Sequence, residues 1–190
     1  MTDYREQIKQ YIEMEKAVLD SLSGDEINEV MNVLENARLK GKRVFICGNG
    51  GSASTASHLE CDFNKGISYD QTVKYDIECL SDNVPMMMAI ANDISYDDIF
   101  VVPLRNKLKL GDIVIGISGS GNSTNVLKAF EFANGIGADT IALTGYSGGK
   151  LKEIAKYNIH VNIDNMQIVE DIHLVLNHMM MFILSGMKGC

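Results

Sequence analysis

The sequence is short of positive charge. Its 17 lysines and arginines face 25 aspartates and glutamates, giving a formal net charge of −8 over 190 residues. A nucleic-acid backbone is held by cations that displace its counterions, so that class of partner is excluded as the main task. A small anionic ligand stays open, because backbone amides and helix ends can hold a phosphate without a basic side chain. Paired cysteines are missing too. Cys47, Cys61, Cys79 and Cys190 have no metal-type spacing, which points to reduced cytosolic thiols, and Cys47 falls in an apolar run that reads as core. No apolar run approaches membrane-spanning length, and the Met-rich segment near the C-terminus is interrupted by Asn177 and His178. The opening MTDYREQIKQ is charged and lacks the apolar stretch of a secretory leader. No linker or low-complexity stretch divides the chain. The expectation is a soluble cytoplasmic protein with residues 1–190 in one domain, and 46% hydrophobic residues suit a substantial core.

What is present is a repeated alternation of short apolar runs and amphipathic stretches. Residues 3–22 form a helix candidate with Tyr4, Ile8, Tyr11, Ile12, Val18, Leu19 and Leu22 near one stripe. Ser23 and Glu26 have capping-box spacing and open a second helix that Gly41 ends. This helical extension, residues 1–40, either covers the sheet alone or also packs on neighbouring subunits. Val44–Cys47 reads as a buried strand, followed by a glycine turn and a helix from about Ser54. Val73, Tyr75 and Ile77 alternate as a second strand. Helices are expected over Val84–Ile90 and Tyr96–Leu108, the latter starting late or kinking at Pro103. Strands at 113–117, 140–143 and 159–163, a helix from Ser123 through Ala133, a short one at 151–155 and a long one from Met166 to Ser185 complete the chain. This pattern predicts a three-layer α/β/α sandwich with a mostly parallel sheet, preceded by two N-terminal helices.

Two loops and one helix carry candidate chemistry. The turn Gly48-Asn49-Gly50-Gly51-Ser52 frees the backbone for close approach by a ligand. Ser118-Gly119-Ser120-Gly121-Asn122-Ser123 offers three hydroxyls and two glycines between a buried strand and a helix, a nest for a phosphate. A Ser/Asn-capped turn is the plainer alternative, though one cap needs one hydroxyl. There is neither a Gly-Lys-Ser/Thr loop nor a GxGxxG fingerprint in that loop. His58 and Asp62, four residues apart on one helix face, either serve one ligand or pair with each other in the fold. On the last helix Glu170, Asp171, His173, Asn177 and His178 interrupt an apolar sequence and need partners or a function. Surface exposure explains Asp171 and Asn177 more easily than Glu170 and His178 together.

With these motifs in hand, the chain resembles the phosphoheptose isomerase group of the sugar isomerase (SIS) domain proteins. GNGGSxxxxxH, NDxxYDDIF from Asn92 to Phe100, GISGSGNSxNV and EDIHLxxxH occur in the family's order over nearly the whole chain. The resemblance implies interconversion of sedoheptulose 7-phosphate and D-glycero-D-manno-heptose 7-phosphate, tetramers with sites at subunit interfaces, and a zinc ion in some members. It implies phosphate binding by Ser118, Ser120 and Ser123, with Gly119 standing where a threonine is common. It implies sugar contacts from Asn49, Gly50, Ser52 and Asp93, a metal-ligand role for His58, and a proton-transfer or metal role for His178. Two departures stand out: Asp62 replaces a glutamate and Glu170 a glutamine. Gly66 also falls where an arginine is frequent.

Aldose–ketose isomerisation moves a proton between adjacent carbons through an enediol, and requires a base, an acid and an electrophile for the developing oxyanion. Glu170 and His178 are the candidate base and acid, with Asp62 as base or metal ligand. His58, Asp62, Glu170 and His178 have ligand types suited to zinc. Residues 170 and 178 nevertheless stand roughly 12 Å apart along a straight helix, so sharing one ion would require a distorted helix, unusual reach or two subunits. The competing functions are an isomerase for another sugar phosphate, a non-catalytic SIS module binding a phosphosugar or a partner protein of the replication-initiator-associating type, and a phosphosugar sensor.

Overall fold

Every residue of Val44–Gly48 (β1) is buried, as a strand covered on both faces must be. The same holds for Ile113–Ser118 (β3) and nearly all of Asp139–Thr144 (β4). With Ile77–Cys79 (β2) and Tyr157–His160 (β5) they form a five-stranded, wholly parallel sheet in the order β2-β1-β3-β4-β5. The computed structural model describes residues 2–186, so Cys190 lies outside the described residues.

Alternation along the strands sorts two cores. Val44, Ile46, Ile113, Ile115 and Ile117 point to one face, covered by Gly24–Leu39 (α2), Gly51–Cys61 (α3) and Met166–Leu184 (α8). Phe45, Cys47 and Val114 point to the other, covered by Val84–Asp93 (α4), Val101–Lys107 (α5), Thr124–Gly135 (α6) and Gly149–Ile154 (α7). The expected α/β/α layering is therefore observed. Arg5–Ser21 (α1) lies outside the sandwich against α8, where the Tyr11 hydroxyl donates to Asp171 Oδ2. Only Val18 of α1 is buried, while Tyr4, Ile8 and Ile12 of the anticipated stripe face out.

Several boundaries differ from the sequence reading. The second strand starts at Ile77, not Val73. Residues 73–76 instead form a loop, whose Val73 carbonyl accepts from Arg38 while the Tyr75 hydroxyl donates to Glu35. The free edge of β2 is occupied by side chains: Asn64 pairs with both backbone groups of Ile77, and Glu60 accepts from Cys79 N at 2.7 Å. The helix expected over Tyr96–Leu108 splits into a 3₁₀ turn, Tyr96–Asp98, and α5, where Pro103 sits in the first turn and withholds no needed donor. β5 ends at His160, earlier than expected. Among the described residues no helix is long and apolar enough to cross a membrane.

Candidate active site

The turn after β1 begins the site. Gly50 has φ +55 and α3 starts at Gly51, three residues earlier than expected, which brings Ser52 into its first turn, where its side chain is buried. The Asn49 amide is held on both sides. It exchanges bonds with Asn125 at 2.9 and 3.0 Å and accepts from the Tyr96 hydroxyl at 2.8 Å. Asn125 itself is buried in the first turn of α6, so this amide pair joins the glycine turn to the helix that follows the serine loop. Sequence reasoning passed over Asn125 and Tyr96, although both lie inside quoted motifs. Asp93 is exposed at the end of α4, bonded to its neighbour Asn92 and to none of the loop residues.

The serine loop closes tightly on itself. Ser118 Oγ lies 3.1 Å from Ser123 Oγ, and Ser123 precedes α6 without capping it through its side chain. The two hydroxyls thus face each other at an open helix N-terminus, where the dipole and unpaired amides favour an anion. Ser120 Oγ accepts from Asn122 N at 3.2 Å, and Asn122 Oδ1 accepts from Lys150 N at 3.1 Å. Gly121 is the keystone: it has φ +66, and a Cβ there would stand 1.8 Å from the Gly148 carbonyl oxygen. No other residue type fits.

α8 runs across both loops. Met166 and Val169 pack over Gly119, whose missing side chain leaves room for the methionine sulfur. One turn on, the Glu170 carboxylate lies against Gly51, so close that a Cβ on Gly51 would stand 2.2 Å from Oε2. The Glu170 carboxylate makes no hydrogen bond or ion pair with any described residue, which leaves it unspent at the N-terminus of α3. Further along, His58 faces His178 and Gly66 faces Met181. α3 and α8 therefore lie side by side in the same direction, with functional groups strung along their seam.

His58, Asp62 and His178 form a three-residue group of ligand-type atoms within 4.8 Å of one another. His58 Nε2 is 3.3 Å from both Asp62 Oδ2 and His178 Nε2, and His178 Nε2 is 3.8 Å from Asp62 Oδ2. Asp62 opens a π-helical turn, Asp62–Ile67, that continues α3. Glu170 is set apart from this group, as the helical rise requires. Asn177, read from sequence as surface-facing, is buried and donates from Nδ2 to Asp62 Oδ2 at 2.7 Å. A second group, Glu60, Cys79 and Asp82, is engaged in the fold: Glu60 binds the β2 edge and Asp82 accepts from Ser57.

Behind the serine loop His173 is buried, its Nε2 directed at the Thr144 carbonyl at 3.4 Å, and Gly145 N bonds Gly119 O at 2.9 Å. Burial holds the His173 imidazole neutral, its pKa lowered to about 4. His160, bonded through Nδ1 to Thr144 Oγ1, is likewise lowered, first by burial and then by Lys152.

Fold and site together define the class. Residues 3–145 match the SIS domain family, and the chain belongs to it. Curated relatives narrow the branch. The phosphoheptose isomerase of Clostridium acetobutylicum is 34% identical over 173 residues, covering 90% of this chain and 88% of the relative. That of Akkermansia muciniphila is 32% identical over 85% and 84%. The chain is thus a member of the phosphoheptose isomerase group. The structure of a phosphoheptose isomerase from Francisella tularensis has the same fold, with TM-score 0.89 at 24% identity over 97% of this chain and 100% of that one.

Proposed function

We propose that the chain is an aldose–ketose isomerase that interconverts sedoheptulose 7-phosphate and D-glycero-D-manno-heptose 7-phosphate in the cytoplasm. The observation that carries this is the course of α8, which passes a serine loop open to an anion, an unpaired carboxylate and a two-histidine cluster in turn. Isomerase relatives of matching length add support. A module that only binds a phosphosugar or a partner has no use for an unspent Glu170 carboxylate at one end of the seam and two facing imidazoles at the other.

In this scheme Ser118, Ser120 and Ser123 and the amino end of α6 hold the phosphate. The glycine turn, with Asn49, Gly50, Ser52 and from the rim Asp93, seats the sugar. Glu170 removes the proton α to the carbonyl and delivers a solvent-exchanged proton to the adjacent carbon. Because roughly 12 Å of helix separates Glu170 from His178 within one chain, the His178 that protonates or stabilises the neighbouring oxygen is supplied across a subunit interface. Donors on a tetrahedral zinc, about 2.0–2.1 Å from the ion, stand roughly 3.3–3.4 Å apart, and His58, Asp62 and His178 have spacings of 3.3, 3.3 and 3.8 Å. These three residues fit zinc, and the ion would supply Lewis-acid polarisation of a substrate oxygen. Glu170 acts from the other end of the seam, as a base and not as a fourth ligand.

The His58 and His178 side chains remain 44% and 51% exposed in the single chain. Tyr4, Ile8 and Ile12 at the start of the chain and Phe182 and Ile183 at the end of α8 are exposed apolar groups. Both features support a homotetramer whose neighbours cover the site, with the 1–40 extension packing on the single 1–190 domain and on adjacent subunits. The test is turnover of sedoheptulose 7-phosphate by purified protein, with zinc and with chelator, beside His178→Ala and Ser120→Ala. Conversion that needs both residues supports the proposal. Binding of the sugar phosphate without conversion would make the chain a sensor.

A further inference from the structure

Asn177 is the one polar residue on the buried face of α8 that reaches the histidine cluster. It is 1% exposed and lies next to His178, yet its side chain turns inward while His178 turns out. Its Nδ2 donates to Asp62 Oδ2 at 2.7 Å, the shortest contact that carboxylate makes. Because an ionised carboxylate only accepts, the amide can meet Asp62 in this orientation alone. Its Oδ1 is consequently buried with no partner among the described residues. An orphaned buried acceptor keeps the cost of its lost hydration, so leucine, of similar size, would serve the packing better. A residue that burdens the fold in this way while fixing one rotamer of Asp62 has its use in that rotamer.

We infer that Asn177 is a positioning residue for Asp62. Aspartate is short, and a free Asp62 at the start of a π-helical turn could swing between the seam and solvent. The amide tethers Oδ2 where both imidazoles approach it. This deepens the metal reading given above and rests on it for its first readout. Outer contacts that orient a ligating group are worth about 10–100-fold in metal affinity.

The experiment compares zinc affinity, by competition with a chromophoric chelator, in wild type, Asn177→Leu, and the double variant Asn177→Leu with Asp62→Glu. Melting of each metal-free protein runs alongside. The expected result is zinc binding at least tenfold weaker in Asn177→Leu, with metal-free stability equal or higher, and partial recovery in the double variant, whose longer carboxylate reaches the imidazoles untethered. Should Asn177→Leu fail to fold, Asn177→Ala takes its place with the same expected loss of zinc. Affinity within twofold of wild type would overturn the inference, as would a loss that merely follows a fall in stability. If the wild type itself binds no zinc, the metal reading falls and turnover decides Asn177 instead. A kcat at least tenfold lower at unchanged KM upholds the positioning role, and an unchanged kcat removes it.

Discussion

The serine loop and the histidine cluster both lie along α8, but they are built in opposite ways. The loop is made of backbone: Ser118 is 4% exposed, Gly121 is wedged against Gly148, and each turn is bonded to the next. The cluster is made of side chains, two half-exposed imidazoles and a nearly buried Asp62 that accepts from the Asn177 amide. A group that must only hold an anion can be preformed within one chain. In the proposed function, groups that move a proton need a covered, adjustable setting, and in the single chain His58 and His178 stay about half exposed.

The comparison breaks most sharply at His178. Replacing it with alanine should lower kcat by about a thousandfold, while isothermal titration shows the sugar phosphate still bound, because the loop is untouched. The reverse lesion is Gly121→Ala, which forces a Cβ into the Gly148 carbonyl at positive φ. A loss of about 3 kcal/mol is expected, read by urea unfolding, together with loss of sugar-phosphate binding.

The buried histidine behind the loop sharpens the contrast through pH. His173 is held neutral, with a pKa of about 4, whereas in the unfolded chain a histidine titrates near 6.5. Below that pH the unfolded state takes up a proton that the native state refuses. Stability is therefore complete above about pH 6.5 and declines as pH falls toward 4, by roughly 3 kcal/mol at most. Urea midpoints at pH 7.5 and 4.5 should differ less in His173→Gln than in wild type; an equal difference would show that His173 is not responsible. The smallest effect is expected from Ser118→Ala, which removes one hydroxyl from an anion site that keeps its backbone. KM should rise about tenfold at little change in kcat.

The loop was far more legible in the sequence than the cluster. Hydroxyls and glycines between an apolar run and a helix start are local signals, and the serine loop occurs where that pattern put it. Strand β1 and the helix start at Ser23 were legible for the same reason: Ser23 Oγ accepts from Glu26 N, although the Glu26 carboxylate accepts from His160 N and does not complete the box. The cluster depends on the pairing of α3 with α8 across more than 100 residues, which periodicity does not encode. Hence Asn177 reads as a surface residue when its own helix is considered alone, and only the packing of α8 on the π-helical turn shows it inward. Glu170 illustrates the limit from the other side. Its distance from His178 along the helix was calculable, but its resting place on Gly51 was not. The second strand was placed too early because Val73 and Tyr75 alternate with polar residues, yet they serve Arg38 and Glu35 instead of the sheet.

The central claim is that this site moves a proton between adjacent carbons of a phosphorylated sugar held by the serine loop. The direct test is conversion of sedoheptulose 7-phosphate in D₂O, with deuterium at C2 of the aldose product followed by NMR. Incorporation at C2, abolished in Glu170→Gln, is the predicted result. Conversion without deuterium, or with deuterium uptake unaffected by Glu170→Gln, would contradict it.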